Sequence, residues 1–211
     1  MELELAKNEA DGLEQVAERI DRLREFLATQ QPPGNHASPQ TWFVYLTAIK
    51  TILGNSSNDL SFVSCLMARE YLGARFPLVP FDVAAKPQGA NGLDIDAWTT
   101  TGERIIGEIK TTSPYHPTRF GAAQMTSLRK DFAKLQRNDA DHTFMFVTDP
   151  VAFQLLRQSF SDDLPGVMIV CLTSGEGCAC PGLVDRPEGG QPCSGNASPT
   201  QPISKRSRGA S

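Results

Sequence analysis

Long apolar runs are absent from the sequence, and this limits the classes of protein that it can encode. No uninterrupted apolar stretch approaches the roughly 18 residues that a membrane-spanning helix requires. The first residues, MELELAKNEADGLEQ, are acidic and lack the basic and apolar segments of a secretory signal. The sequence therefore predicts a cytoplasmic protein without a membrane-embedded part.

Cysteine is scarce, and the spacing of the cysteines does not suggest a framework of disulfides. The 211 residues contain five cysteines, an odd number, and no CxxC pair. Neither a set of disulfides nor a strong zinc signature is therefore indicated. Cys178, Cys180 and Cys193 could together bind zinc. The Gly, Pro and Ser residues around them favour an unstructured tail instead.

An overall excess of basic residues is also missing, because the net charge is −4, and this argues against a nucleic-acid partner. The distribution of the charge changes that interpretation. Between residues 104 and 137, seven basic residues stand against two acidic ones, so this segment carries +5 and the rest of the chain −9. Such a segment indicates either a surface for nucleic acid or a solvated helix face. The seven are Arg104, Lys110, Arg119, Arg129, Lys130, Lys134 and Arg137.

The most informative stretch is 92–112, GLDIDAWTTTGERIIGEIKTT. Apolar and polar residues alternate at 93–98 and again at 104–110, which is the pattern of two half-buried strands. The polar, Gly-containing segment between them predicts a hairpin connection. Residues two apart on a strand share a face, so Asp94 lies with Asp96, and Glu108 with Lys110. The hairpin is predicted to bring these four side chains together.

Carboxylates grouped in this way predict a cation site. Like charges repel and burial disfavours the ionised forms, but a divalent cation removes both penalties. Mg²⁺ prefers a few hard oxygen ligands, here one Asp, Glu108 and a strand carbonyl such as that of Ile109. Either Asp94 or Asp96 could supply the Asp. Lys110 would then lie near a metal-bound water and an anionic substrate.

At these positions the chain resembles the PD-(D/E)xK nuclease superfamily. The family pattern is an Asp on one strand, followed on the next strand by Glu or Asp, any residue, and Lys. Asp94, Glu108 and Lys110 fill these slots, and Leu93 stands in place of the name-giving Pro. Asp94 is preferred to Asp96 because apolar strand residues follow it as in the family. The resemblance implies Mg²⁺-dependent hydrolysis of DNA, most like the restriction-endonuclease branch, and a homodimer if the target is palindromic.

The resemblance also implies auxiliary residues. In the family, the helix before the hairpin often presents a Glu to the metal, which makes Glu70 a candidate. An ordinary surface pairing of Glu70 with Arg69 or Arg75 is the alternative. Gln124 is similar to a Gln that several subfamilies place near the metal-bound water, on the helix after the motif.

The loop and helix after Lys110 are candidates for DNA contacts. His116 and Arg119 could meet phosphate oxygens, and Tyr115 could stack on a base or sugar. Residues 120–135 predict an amphipathic helix, and we expect Arg129 and Lys130 on its basic face to contact DNA. A lone His or Tyr in a loop also has a purely structural interpretation.

Apolar periodicity predicts the remaining elements. One helix covers 13–27, a second and substantially buried helix follows Ser38 and Pro39, and a third ends near Gly73. A short strand is predicted at 76–85. A strand at 143–148, a helix at 150–160 and a strand at 167–172 predict a parallel pairing. With the hairpin, this order matches the αβββαβ core that the resemblance implies.

The predicted architecture is an α/β fold with a restriction-endonuclease-like αβββαβ core, whose central mixed sheet is flanked by helices. Residues 1–57 would form an N-terminal helical region, 58–173 the nuclease core and 174–211 a disordered tail. The predicted function is a sequence-specific, Mg²⁺-dependent restriction endonuclease. The alternatives are a repair, resolvase or exonuclease activity of the same fold, and a catalytically inactive DNA-binding protein.

Overall fold

Three helices and a strand hairpin come first, after which helices and strands alternate in the manner of an α/β fold. The computed structural model describes residues 5–86, 91–160 and 163–180. The helices are α1 (Lys7–Thr29), α2 (Pro39–Leu53), α3 (Ser56–Gly73), α4 (Ala122–Arg137) and α5 (Pro150–Ser159). The strands are β1 (Ile95–Trp98), β2 (Arg104–Lys110), β3 (His142–Val147), β4 (Val167–Cys171) and β5 (Gly177–Ala179). None of these helices is both long and apolar enough to cross a membrane.

The strands form one mixed sheet in the order β1-β2-β3-β4-β5. β1 and β2 are the predicted antiparallel hairpin, with Ile95 opposite Gly107. β2, β3 and β4 run parallel, and α4 and α5 connect them, which confirms the predicted strand-helix-strand unit. The mixed α/β sheet is therefore confirmed, whereas the specific restriction-endonuclease-like core stays a prediction. In this arrangement the beginning of β1 lies beside the end of β2.

Two apolar clusters cover the faces of the sheet, because alternate residues of each strand point to opposite sides. On one face, α4 packs through Leu128 and Phe132 with Ile106 of β2. The four-residue spacing on α4 gives the helix one apolar side. On the other face, α3 packs through Leu72 with Ile105. β2 is thus enclosed between two helices.

Gly107 lies in the middle of β2, where glycine is otherwise unfavourable. A Cβ at this position would approach the Phe146 ring to 3.0 Å. That ring is stacked on Phe144, with 5.3 Å between the centroids, so it cannot move aside freely. The aromatic layer between the sheet and α3 therefore requires glycine at this position.

The N-terminal helices form as predicted, but α2 is not substantially buried. Ser38 caps α2 by accepting a backbone hydrogen bond, and Pro39 occupies the first position. None of its residues is buried, and Phe43 is 66% exposed. One side packs on α1, where the Tyr45 and Phe26 rings lie 5.3 Å apart. The prediction was wrong because apolar residues surround α2 on several sides while α1 covers only one.

The strand predicted at 76–85 is reduced to a single β-bridge. Leu78 pairs with Thr99, and the Val79 amide donates to a carbonyl oxygen of β1 at 2.8 Å. Pro77 and Pro80 flank this contact and have no N–H with which to extend a ladder. The prediction of a regular strand was therefore wrong, although the segment follows the edge of β1.

The sheet continues beyond residue 174, where the disordered tail was predicted to begin. Gly177–Ala179 form β5, and Cys180 is 2% exposed. A strand this short in a Gly-rich stretch gives too little pattern to be recognised. Cys178 is disulfide-bonded, a bond that the cysteine count did not indicate, so its sulfur is not a thiolate for the alternative zinc site. Cys193 and the rest of the predicted tail lie outside the described residues.

A buried ion pair attaches α1 to the rest of the fold. Glu9 of α1 is fully buried, and its carboxylate accepts hydrogen bonds from Arg69 of α3 at 2.6 and 2.7 Å. The same carboxylate accepts from the backbone amides of Ala6 at 2.8 Å and Val83 at 3.0 Å. Glu9 therefore joins α1, α3 and the segment that leads to β1, and these partners offset the cost of burying its charge.

We expect the substitution Glu9→Ala to lower the free energy of unfolding by about 3 kcal/mol, because it removes an anionic partner of a largely buried guanidinium and the acceptor of two backbone amides. Urea denaturation measures this loss. The control Glu14→Ala changes an exposed residue of the same helix and should shift stability by less than about 0.5 kcal/mol. Equal effects of the two substitutions would contradict the role of Glu9 as an anchor.

Candidate active site

A polar cleft of about 450 Å³ opens between the hairpin and α4. Its charged side chains come from the segment before β1, the end of β2 and the middle of α4. The acids are Asp94, Glu108 and Asp131, and the bases are Lys86, Lys110 and Lys134. The cleft therefore contains the predicted trio of Asp94, Glu108 and Lys110, together with charged residues of α4 that were not predicted to take part.

The register of the hairpin explains why Asp94 and Glu108 meet. Because Ile95 is opposite Gly107, one further step along the same register sets Asp94 across from Glu108. Asp94 Oδ2 accepts a hydrogen bond from the Ile109 amide at 2.9 Å. The N–H and C=O of one strand residue point to the same neighbouring strand, so the carbonyl of Ile109 is also on the side of Asp94.

Glu108 is a carboxylate held almost entirely out of water. Its residue is 2% exposed, and Lys134 Nζ donates to its two carboxylate oxygens at 3.2 and 3.1 Å. Burial, followed by the charge of Asp94, raises the pKa of Glu108 from 4.5 to about 7, although Lys134 acts in the opposite direction. A single lysine thus does not compensate the loss of hydration and the neighbouring negative charge.

Lys134 is the centre of several contacts. Besides Glu108, its ammonium donates to the carbonyl oxygen of Gly92 at 3.2 Å and lies 3.8 Å from Asp131 Oδ1. Gly92 has a φ of 112°, a conformation that favours glycine. Burial alone would lower the pKa of Lys134, but the hydrogen bond to Glu108 and the charges of the three acids raise it. Lys134 is therefore held in its charged form.

Lys110 projects from the end of β2 towards α4. Its ammonium lies 2.5 Å from Asp131 Oδ2 and donates to Ser127 Oγ at 3.0 Å. Asp131 is 5% exposed, so this ion pair is well shielded from solvent. The two contacts fix the ammonium at one wall of the cleft, beside Glu108 but not bonded to it.

Asp96, the alternative metal ligand, is not part of the cleft. Both of its carboxylate oxygens accept hydrogen bonds from Arg104, at 2.9 and 2.8 Å, and this hydrogen bonding raises the pKa of Arg104. Asp96 is opposite Ile106, roughly 7 Å along the strand from the position of Asp94. The prediction that all four hairpin side chains come together was wrong, because two residues on the same face of a strand are still separated by the distance along it.

Glu70 is also outside the cleft. It is exposed near the end of α3, whereas α3 contributes Ser61 and Cys65 to the cleft. A residue five positions beyond Cys65 points about 140° away from it around the helix axis. The predicted orientation of Glu70 towards a metal was therefore wrong.

Gln124 lies near the site but is engaged in structural contacts. Its Nε2 donates to the carbonyl oxygen of Ser113 at 2.8 Å, and its Oε1 accepts from the Gly121 amide at 2.9 Å. It thereby caps the beginning of α4 and holds the preceding loop. Gln124 does not line the polar cleft; it lines an adjoining apolar cavity that also includes Lys110.

The residues predicted to bind DNA are all exposed, namely His116, Arg119, Arg129 and Lys130. His116 Nδ1 and Thr118 Oγ1 lie 2.9 Å apart, so this ring is held by the loop itself. None of the four lines the cleft. Their contact with DNA stays a prediction.

Sequence reasoning missed the part that α4 plays. Asp131 and Lys134 were counted only as charges, yet Asp131 lies three residues after Leu128 and four before Leu135, both of which are buried. An acid at this spacing must be on the apolar side of the helix. A charged residue at a core position was the available signal, because such a group needs a partner.

The oxygen donors of the cleft are of the chemical type that binds a hard divalent cation, but they do not form a complete set of ligands. Within the described ranges, no group of three or more His, Cys, Asp or Glu residues is arranged to hold a metal. Asp94 and Glu108 nevertheless provide adjacent oxygen donors. Burial, followed by the charge of Asp94, raises the pKa of Cys65 to about 11, although the charge of Lys86 acts in the opposite direction. Asp94 thus adds negative charge to the cleft. A cation between the two carboxylates would neutralise it.

Comparison with family models, with curated proteins and with solved structures gave no match. The function must therefore be argued from the cleft itself. Its decisive features are the cross-strand carboxylates and the lysine on the same strand as Glu108.

We expect the metal-free protein to lose stability as the pH rises from 4.5 to 7. A pKa that is higher in the folded state means that Glu108 retains its proton more strongly when folded, so the advantage is full below pH 4.5 and is lost through pH 7. The substitution Glu108→Gln should remove this loss, which amounts to at most about 3 kcal/mol. Urea denaturation across the pH range measures it.

Glu70→Gln is the matched control, because it makes the same change at an exposed position. Its pH profile should coincide with that of the unsubstituted protein. If the stability of Glu108→Gln still falls by the same amount over this pH range, the loss of stability does not come from the ionisation of Glu108.

Proposed function

We propose that the protein is a Mg²⁺-dependent endonuclease acting on DNA. The observation that carries this proposal is that Asp94, Glu108 and Lys110 line one cleft, where Asp94 accepts a hydrogen bond from the Ile109 amide. Two carboxylates beside one lysine provide both metal-binding oxygens and a cation for a phosphate. Phosphodiester hydrolysis needs these two components.

Asp94, Glu108 and the carbonyl of Ile109 would hold the cation. A bound Mg²⁺ would neutralise the scissile phosphate and lower the pKa of a coordinated water. Lys110 would contribute a fixed positive charge next to the phosphate, because Asp131 and Ser127 hold its ammonium at the wall of the cleft. A charge positioned in advance needs little reorganisation during the reaction.

Lys134 has a separate part in this proposal. Its ammonium donates to both carboxylate oxygens of Glu108 at 3.1 to 3.2 Å, and these oxygens are also proposed ligands of the cation. Entry of a divalent cation would compete with the ammonium for the same carboxylate. The released Lys134, which is 42% exposed, would then be available to an anionic substrate.

The finer assignment is a sequence-specific restriction endonuclease with a restriction-endonuclease-like core. The order of α3, the hairpin, α4, β3, α5 and β4 supports that core, although the first of its three strands is only a bridge here. The net charge of +5 over residues 104–137 supports DNA as the substrate. A palindromic site would require a homodimer in which each subunit cuts one strand.

The second candidate is a DNA-binding protein that does not cut. The observation in its favour is that Lys134 already pairs with Glu108, and that no group of three metal ligands exists among the described residues. Such a protein would bind DNA equally well with Mg²⁺ and with EDTA.

Cleavage of supercoiled plasmid and unmethylated phage DNA in Mg²⁺ or EDTA separates the two candidates. We expect cutting in Mg²⁺ alone. Glu108→Gln should reduce the rate at least about a hundredfold because it removes a ligand of the metal. Lys110→Ala should have an effect of similar size because it removes a positive charge beside the phosphate. Gel-shift affinity should change much less.

Glu70→Gln and Lys50→Ala are the controls for these variants, since both residues are exposed and outside the cleft. Their cleavage rates should stay within tenfold of the unsubstituted protein. Undiminished cutting by the variant that carries both Glu108→Gln and Lys110→Ala would refute the mechanism. DNA binding by the unsubstituted protein without any cutting would establish the second candidate.

Cation binding can be tested without DNA. At a Mg²⁺ concentration ten times its dissociation constant, we expect a stabilisation of about 1.4 kcal/mol, seen as a rise of a few degrees in Tm. Asp94→Asn should abolish this rise. Asp96→Asn, the same change two residues along the chain, should preserve it, because Asp96 is paired with Arg104. The reverse pattern would assign the metal to Asp96.

A further inference from the structure

An apolar cavity lies directly behind Lys110, next to the polar cleft. It has a volume of about 220 Å³, below the roughly 300 to 1,000 Å³ of sites for drug-sized ligands. Its apolar wall is built by α4, α5, β3 and the segment before α4, through Phe120, Leu128, Val147, Ala152 and Leu156. A cavity of this size accommodates a single small ring system and little more.

Four of the residues that line this cavity are polar, namely Lys110, Thr112, Gln124 and Ser127. Ser127 Oγ receives a hydrogen bond from Lys110 at 3.0 Å, so its own hydroxyl hydrogen is available to another acceptor. The cavity therefore combines apolar side chains with a cation and a few hydrogen-bonding groups.

Among the residues that the structure describes, Lys110 alone lines both the cavity and the polar cleft. A ligand in the cavity therefore lies beside the same ammonium that would face a phosphate in the cleft. The matching ligand has a flat, largely apolar ring with polar edges, linked at short distance to an anionic group. A nucleobase with its sugar phosphate has this chemistry.

We propose that this cavity binds one unstacked nucleobase whose phosphate lies at Lys110. The proposal rests on the proposed function for its choice of ligand, since the cleft is taken to receive a phosphodiester. Pockets for unstacked bases combine apolar or aromatic walls with a few hydrogen-bonding groups, and Phe120 with Ser127 and Thr112 supply these. The base could come from a nucleotide extruded from a DNA strand or from a free mononucleotide.

The chain provides a matched pair of variants for the test. Ala123 lines the cavity, whereas the adjacent Ala122 does not. Both are exposed in the first turn of α4, so replacing either by leucine adds the same bulk without disturbing the core. Ala123→Leu should obstruct the cavity, and Ala122→Leu should leave it open.

Titration calorimetry in EDTA tests the proposal without any cleavage. It measures the binding of dAMP, dTMP and deoxyribose 5-phosphate to the full chain. We expect at least one mononucleotide to bind tenfold or more tightly than the abasic compound. Ala123→Leu should abolish this difference and Ala122→Leu should retain it. Equal affinities for mononucleotide and abasic phosphate, or equal behaviour of the two variants, would overturn the proposal.

A DNA duplex that carries 2-aminopurine distinguishes the two sources of the base. A fluorescence increase with the unsubstituted protein and Ala122→Leu, but not with Ala123→Leu, supports an extruded nucleotide. Unchanged fluorescence together with retained mononucleotide binding supports a free nucleotide. Neither calorimetry nor 2-aminopurine fluorescence requires a metal or DNA cleavage. Cleavage without base binding would therefore reject only the proposed base site in the cavity. Base binding without cleavage would reject only the proposed endonuclease activity.

Discussion

The burial of Glu108 beside Asp94 is the constraint on which the site depends. A carboxylate that is 2% exposed loses most of its hydration, and a second negative charge across the hairpin increases the cost. In this fold the ammonium of Lys134 reduces that cost but does not remove it, as the raised pKa of Glu108 shows. An arrangement that retains such a cost is poorly explained by stability alone. The proposed divalent cation would offset this cost.

The packing of α4 links this electrostatic arrangement to the core. Leu128 and Phe132 fix the helix against the sheet, and Asp131 and Lys134 on the same part of the helix reach the cleft. Any shift of α4 would therefore move the partners of both Glu108 and Lys110. On the opposite face, Glu9 and its hydrogen bonds to α3 and to the Val83 amide fix the segment that leads into β1. The cleft is in this way supported from both sides.

The sequence predicted the elements with strong periodicity and failed where pattern is short or ambiguous. The hairpin and the parallel unit of β3, α5 and β4 were readable because alternation and helical spacing follow from backbone geometry. The bridge at Leu78 and the short β5 depend on neighbours that are distant in sequence. The exposure of α2 depends on how much of its surface other elements cover, which composition does not reveal.

The candidate site was predictable in part for the same reason. The proximity of Asp94 and Glu108 follows from the hairpin geometry. The pairing of Asp96 with Arg104 is a diagonal contact, because these residues are opposite Ile106 and Trp98, and alternation alone does not predict it. The roles of Asp131 and Lys134 depend on the rotation of α4 about its axis. Their charged side chains at core spacing would have indicated a buried ion pair, but not its partners in β2.

Paramagnetic line broadening by Mn²⁺ in amide NMR spectra locates a cation site in this protein. We expect low Mn²⁺ concentrations to broaden the signals of Asp94, Glu108 and Ile109 first, and excess Mg²⁺ to reverse the effect. The signals of Asp96 and Arg104 should broaden later and less. Uniform broadening across the protein, or selective broadening centred elsewhere, would contradict a cation site between the two carboxylates.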